Sequence, residues 1–258
     1  MSQFYQKINT LWKRDNKNFI VMGDFSLPEF EYLRDVQWLA EEKIDGTNMS
    51  YDIYFSETGE VIKYDIHGKT ETANIPAKLV TEMTNLYAVF SEKLTDVFRQ
   101  TRTASDGSVT YSWPTKVTIF GEGYGGKIQG GGRYSKTEKF IVFDVTVTNS
   151  NGEEFYLLRH NVEDICNKLG LDIVTSYGLM TIREAELMIE NIAYLVYTNR
   201  LKDVEVSNCS AFSNHSEDKT LVIEGFVMKS PVGLKSRSGK PLVTKIKVKD
   251  YVDLLRKK

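Results

Sequence analysis

Apolar and polar residues alternate along Met49-Ser50-Tyr51-Asp52-Ile53-Tyr54-Phe55, a period of two that predicts a strand. Glu57-Thr58-Gly59-Glu60 reads as a hairpin turn, and Val61-Ile62-Lys63-Tyr64-Asp65-Ile66 as the returning strand. A shorter strand is predicted over 36–40. Between 78 and 99 the period changes: Leu79, Met83, Leu86, Val89, Phe90 and Leu94 recur at helical spacing. A polar loop over 101–107 follows. Strands return over 117–120 and 140–147, and Asn149-Ser150-Asn151-Gly152 turns the chain into another over 155–158. Helices are predicted over 161–169, closed by Gly170, and over 181–195, with Thr181 as N-cap. Two last strands, 221–229 and 242–249, flank a hairpin loop rich in Gly, Ser and Lys. Residues 1–34 mix aromatic and charged residues around turns at Gly23-Asp24 and Pro28. Strands dominate with helices between them, which argues an α+β fold with mainly antiparallel sheets.

Composition narrows the class. A chain of 258 residues, 41% apolar and 26% charged, is long enough for a real core and ordinary for a globular protein. No apolar run reaches the length of a membrane span, and the first residues contain no signal-peptide core. Cys166 and Cys209 have no metal-ligand spacing around them and are expected as reduced, buried thiols in a cytoplasmic setting. The formal net charge of -2 argues against a protein that coats nucleic acid nonspecifically. Its distribution matters more, since residues 229–258 hold ten Lys or Arg against two Asp. A basic end on a mildly acidic body suits a protein that handles phosphates at one site.

The candidate chemistry begins at Glu42-Lys43-Ile44-Asp45-Gly46-Thr47-Asn48, which sets a lysine beside an acid at a sharp turn. A free lysine is almost wholly protonated at neutral pH, so a nucleophilic one must be desolvated or crowded by other cations. Gly46 permits a positive φ or a close backbone approach. Downstream, in order, stand Phe120-Gly121-Glu122, Val142-Phe143-Asp144, Glu224-Gly225-Phe226-Val227-Met228-Lys229 and Lys245-Ile246-Lys247. Adjacent strand residues point to opposite faces, so Phe143 and Asp144 are expected to diverge. Lys245 and Lys247 are expected on one face, with Lys249 continuing it and leaving the register open. Lysines that guard an edge strand against aggregation are the plainer reading of that pattern.

Together with Lys43-Ile44-Asp45-Gly46, these segments resemble the ordered motifs of the ligase-type covalent nucleotidyltransferases, over roughly residues 36–251. In particular they resemble the phage-type ATP-dependent RNA ligases that seal double-stranded substrates. The resemblance implies a nucleotidyltransferase fold of mainly antiparallel sheets with flanking helices. It implies ATP and Mg²⁺ (or Mn²⁺) as cofactors, Lys43 as the nucleophile that takes AMP, and Lys245 and Lys247 as catalytic partners on the phosphates. It implies nucleotide contacts from Glu42, Asn48, Lys69, Glu122, Phe143 and Lys229, with Glu122 on the ribose and Phe143 stacked on the adenine. Metal binding falls to Glu224 and Asp144. Lys69 stands where the family often has arginine, keeping the charge without the bidentate fork. His67, His160 and His215 show no ligand spacing and receive no role.

The expected organisation is one adenylyltransferase domain over 1–258, with no C-terminal OB-fold or helical domain evident. The implied function is an ATP-dependent RNA ligase that joins 5′-phosphate and 3′-hydroxyl ends through lysyl-AMP and a 5′-adenylylated polynucleotide, in RNA repair. Its partners are RNA ends, including nicked duplexes and RNA/DNA hybrids, and no membrane. Cytoplasmic action is expected, including in the host cell if the protein is phage-encoded. A DNA ligase on the same scaffold, and a nucleotide- or nucleic-acid-binding module without turnover, are the alternative readings.

Overall fold

The alternation around residue 50 is realised as the strand Thr47–Phe55, which buries Met49, Tyr51, Ile53 and Phe55 and turns Asn48, Ser50 and Asp52 to its other face. In the computed structural model, which describes residues 4–70, 72–129, 131–204 and 210–257, the chain divides into two compact units. The first comprises Met1–Tyr5 and Gly46–Ile173, the second Gln6–Asp45 and Val174–Lys258.

The first unit is a five-stranded antiparallel sheet in the order Glu154–Tyr156, Glu138–Thr148, Lys116–Gly125, Thr47–Phe55, Val61–Gly68. Its apolar face packs against the helices Ala77–Phe90 and Arg159–Leu169 through Leu79, Met83, Phe90, Val162 and Leu169. Gly170 closes the second helix in the left-handed conformation, as the sequence predicts. The helix expected over 78–99 is shorter: the chain tightens to a 3₁₀ turn over Ser91–Lys93 before a last turn, Leu94–Val97, returns Leu94 to the core. The loop expected over 101–107 is instead a hairpin of Gln100–Thr103 with Val109–Ser112. Burial pushes the Cys166 thiol up to about 12. Cys209 lies outside the described residues.

The second unit carries a sheet in the order Asn9–Thr10, Val243–Lys247, Gly225–Lys229, Trp38–Glu42, Ser176–Met180, antiparallel except for the parallel first pair. Trp38, Ala40, Phe226, Met228, Leu242 and Ile246 form a core with the helices Ile182–Tyr197 and Val248–Lys257. Thr181 caps the first of these helices in a capping box with Glu184. Trp12 Nε1 and Tyr251 Oη both donate to buried Glu186 Oε1, at 2.7 and 2.6 Å. The strand expected over 221–229 starts only at Gly225, and that over 242–249 ends at Lys247. From Val248 the chain is helical because Val248, Tyr251, Val252 and Leu255 supply the apolar stripe at helical spacing. Lys249 therefore leaves the strand and is exposed on the helix, so Lys245 and Lys247 are the lysine pair of that strand face. Among the described residues, no helix is long and apolar enough to cross a membrane.

Candidate active site

Strand register in the second unit explains how Lys43 meets its neighbours. Glu42 pairs with Phe226, and Gly225 with Lys247. The next residue, Lys43, donates its backbone N–H to Gly225 O at 2.9 Å. Lys43, Gly225 and Lys247 therefore form one row across three strands, with no side chain at its centre. Gly225 has φ +151, and a Cβ there would overlap Ile246 O. Across that gap the two lysines converge on one carboxylate: Lys43 Nζ lies 2.6 Å from Glu224 Oε2, and Lys247 Nζ 2.5 Å from Glu224 Oε1. Glu224 is held by its backbone too, since Val248 N–H donates to its carbonyl at 3.0 Å.

Residues in phase with this row lie on the same face. Lys245 flanks Val227, opposite Glu41, and Lys229 Nζ pairs with Glu41 Oε2 at 2.7 Å. Lys43, Lys229, Lys245 and Lys247 thus bring their ammonium groups to a face that also holds the carboxylates of Glu41, Asp45 and Glu224. Burial raises the Asp45 pKa, and the neighbouring Glu224 raises it further against the opposing pull of Lys43 and Lys247. Neither Glu41 nor Asp45 is among the residues that the family resemblance assigns to the site. Glu41 is legible in the sequence, because it stands two residues before Lys43 on an alternating strand.

Glu42 points the other way, into the core side, with its side chain wholly buried. Ser213 Oγ donates to its Oε1. His215 Nε2 approaches Oε2 at 3.9 Å, but that nitrogen accepts the Thr175 backbone N–H at 2.9 Å, so it does not donate to the carboxylate there. Desolvation accordingly pushes the Glu42 carboxyl up to about 7, against hydrogen bonds from Ser213, the Asn214 backbone and Thr175. The structure thus does not bring Glu42 together with the lysine face, and its visible work is to anchor the strand end behind Lys43.

This burial ties stability to pH. Between the unfolded pKa of 4.5 and the folded value near 7, the native state holds a proton that the unfolded chain has released. Stability then falls as pH rises through this window, by about 3 kcal/mol once Glu42 is fully ionised. Glu42→Gln is expected to flatten that slope and to raise the melting temperature above wild type at about pH 8, read by thermal melts across pH. Identical pH profiles for the two proteins would refute it.

The first unit holds the residues expected around the nucleoside. Asn48 and Glu122 are direct cross-strand partners. Gly46 leads into that pair, and a Cβ on it would overlap Gly123 O and crowd Glu122 Cγ, so the glycine serves close backbone approach, not a positive φ. Lys69 is exposed one residue beyond Gly68, which pairs with Met49. Phe143 departs from expectation. The register between the Glu138–Thr148 and Lys116–Gly125 strands shifts between Val142 and Asp144, so Phe143 is the extra residue of a bulge. Val142 and Val145 both enter the core, while Phe143 and Asp144 both meet Tyr5. The two side chains therefore share a side instead of diverging. Tyr5 Oη donates to Asp144 Oδ2 at 2.5 Å, and the Tyr5 ring packs edge-on against Phe143 at 4.9 Å. Glu224 and Asp144, the two expected metal ligands, belong to different units. Among the described residues no group of three or more His, Cys, Asp or Glu side chains gathers as a protein-only metal cage. Glu224 with Asp45 beside it still fits a hard cation that takes few carboxylates and completes its shell with phosphate oxygens and water.

The family model for RNA ligases matches residues 36–249. The chain belongs to the RNA ligase family. That span runs from just before the Trp38–Glu42 strand into the Val248–Lys257 helix and includes all the clustered lysines. Among solved structures, an apo mutant of Naegleria gruberi RNA ligase aligns over 98% of this chain and 58% of its own, at 14% identity and a TM-score of 0.55. The same ligase with PPi aligns over 100% and 65%, at 16% identity and 0.54. A mutant with ATP and Mn aligns over 100% and 64%, at 15% identity and 0.53. This RNA ligase family member thus shares their mixed, mainly antiparallel fold while spanning about three fifths of the first ligase's length. No curated protein sequence matches it.

Proposed function

We propose that the chain is the adenylyltransferase of an ATP-dependent RNA ligase, with Lys43 as the nucleophile. The unprotonated Lys43 amine attacks the α-phosphate of ATP. An N–P bond forms, the bond to the β-phosphate oxygen breaks, and pyrophosphate leaves with its electron pair. AMP then passes from lysine to a 5′-phosphate, and a 3′-hydroxyl attacks that activated end and expels AMP. The observation that carries this reading is the convergence of Lys43 and Lys247 on Glu224, on a face that also bears Lys229 and Lys245. Family membership supports it, as do similar ligases whose structures include ATP, AMP and Mn.

The roles follow from charge and position. Lys247 and Lys245 neutralise charge on the phosphate oxygens and on departing pyrophosphate. Lys229, fixed by Glu41, adds to the same field. Glu224 holds the Lys43 amine in a single orientation until the triphosphate arrives, and Asp45 is a second acceptor for a displaced proton or cation. Asn48 and Glu122 offer an amide and a carboxylate suited to ribose hydroxyls, and Phe143 an aromatic surface for adenine. Mg²⁺ or Mn²⁺ held by Glu224 would add positive charge against the phosphate oxygens. Asp144, engaged by Tyr5, is better placed to fix the Phe143 bulge than to hold the metal.

Substrate class is tested by sealing. With ATP and Mg²⁺, nicked RNA and RNA/DNA hybrid duplexes are expected to be joined, as in the double-strand-sealing group, and nicked DNA at least about ten-fold more slowly. Sealing of DNA nicks alone would assign a DNA ligase. ATP binding without any covalent adduct would leave a binding module.

A further inference from the structure

We propose that a basic groove at one edge of the second unit's sheet is the RNA-docking surface of this chain. The inference rests on the RNA ligase reading above and adds where the strand is held. The groove is lined by Lys7, Lys235, Arg237 and Lys240, with Glu29 as the one carboxylate in its wall. All four cations are exposed, and none pairs with a carboxylate among the described residues. Such a concentration on a chain of net charge -2 marks a place for a polyanion. Tyr32 stands on its rim, 88% exposed, as a flat surface on which an unpaired base can stack.

The cations sit on a formed scaffold. The chain between Gly225–Lys229 and Val243–Lys247 extends that strand pair into a hairpin, with Lys235 bridged to Pro241 and Leu242 N–H donating to Leu234 O at 2.8 Å. At its tip Ser236 N–H donates to Lys240 O at 2.8 Å, and Gly239 takes φ +77 to close the turn. Gln6 Nε2 ties the N-terminal side to Pro241 O at 2.7 Å, fixing Lys7 beside the hairpin.

The groove reaches the first residue of the strand that bears Lys245 and Lys247. Val243 lines it, and Val243, Lys245 and Lys247 alternate on one side of a single strand. Lys247 stands four residue steps along the strand from Val243, about 13 Å at 3.3 Å per residue. Phosphates held in the groove would thus continue along Lys245 and Lys247 toward Lys43, over a face where the carboxylates of Glu41 and Glu224 are already paired with lysines. Phosphate contacts of this kind position a strand without reading its sequence.

The test uses fluorescein-labelled, 5′-phosphorylated RNA, single-stranded and as a nicked duplex, with binding read by anisotropy across salt concentration. The triple variant Lys235→Ala/Arg237→Ala/Lys240→Ala is expected to bind at least about ten-fold more weakly and to lower the salt slope by about 2, at roughly 0.7 per phosphate contact on a single strand. Tyr32→Ala is expected to weaken single-stranded RNA about five- to a hundred-fold, with Tyr32→Phe restoring it. Melting temperature and AMP adduct formation with ATP alone should match wild type in each variant. Wild-type RNA affinity and slope in the triple variant would overturn the proposal, as would loss of poly-L-glutamate binding with RNA binding retained, which would assign the groove to an acidic protein. Absence of an AMP adduct in the wild-type protein would instead refute the ligase reading, while RNA binding would still report on the groove.

Discussion

Lys43→Ala is expected to abolish the AMP adduct that the wild-type protein forms with ATP and Mg²⁺, a rate loss of at least about 10⁴-fold, read as intact mass. The size of the effect follows from position. Lys43 and Lys247 both touch Glu224, but through different oxygens and from opposite ends of a three-strand row. Lys43 is fixed by its backbone bond to Gly225 O, by the 2.6 Å contact of its amine with Glu224 and by a 3.3 Å bond from the amine to Ile44 O. An amine on the far strand cannot take over the same line of attack without shifting that row. Lys247→Ala should therefore keep the adduct at a reduced rate. An adduct surviving in Lys43→Ala would move the nucleophile to another lysine, located by peptide mapping. No adduct on wild type, with ATP bound, would leave a binding module.

The sequence makes some of this arrangement legible and hides the rest for identifiable reasons. The alternating strand at 49–55, the hairpin after it, the capped helix after Thr181 and the left-handed stop at Gly170 are written in local periods and caps, and the fold repeats them. Lys43, Glu224, Lys245 and Lys247 can be named from their segments. Their convergence cannot, because it depends on which strand lies between them. Only the register shows that Gly225 sits at the centre of the row, where its missing side chain leaves the opening across which two lysines meet. Strict alternation misplaces Phe143, since a bulge adds a residue that no two-residue period records. Lys249 is hidden by its apolar neighbours. Ile246 and Val248 continue the strand's alternation, yet Val248 fits the first turn of a helix equally well, and only Tyr251, Val252 and Leu255 decide for the helix. The family resemblance makes Glu42 a nucleotide contact, and adjacency to Lys43 along the strand sends its side chain to the opposite face.

Glu224→Gln is expected to slow AMP adduct formation by about 10²–10³-fold, the scale of removing one preorganised charge from a reacting site. The substitution keeps the side chain's size and one carbonyl oxygen but withdraws the charge that two lysines share. Lys43 and Lys247, both partly buried, would then repel each other with Asp45 as the remaining carboxylate beside them and swing toward solvent, costing about 1–2 kcal/mol of stability because neither is fully desolvated. Two roles for Glu224 give different kinetics. If it only orients Lys43, the maximal rate falls at every Mg²⁺ concentration and the half-saturating Mg²⁺ stays put. If it also holds the cation, the half-saturating Mg²⁺ rises by about ten-fold or more, as expected when a charged ligand is lost. Glu224→Asp separates the two further: it restores the charge but shortens the reach by one methylene, so it should recover Mg²⁺ dependence more than rate. A Glu224→Gln protein that adenylylates at the wild-type rate would show that the paired lysines, not the carboxylate between them, carry the chemistry.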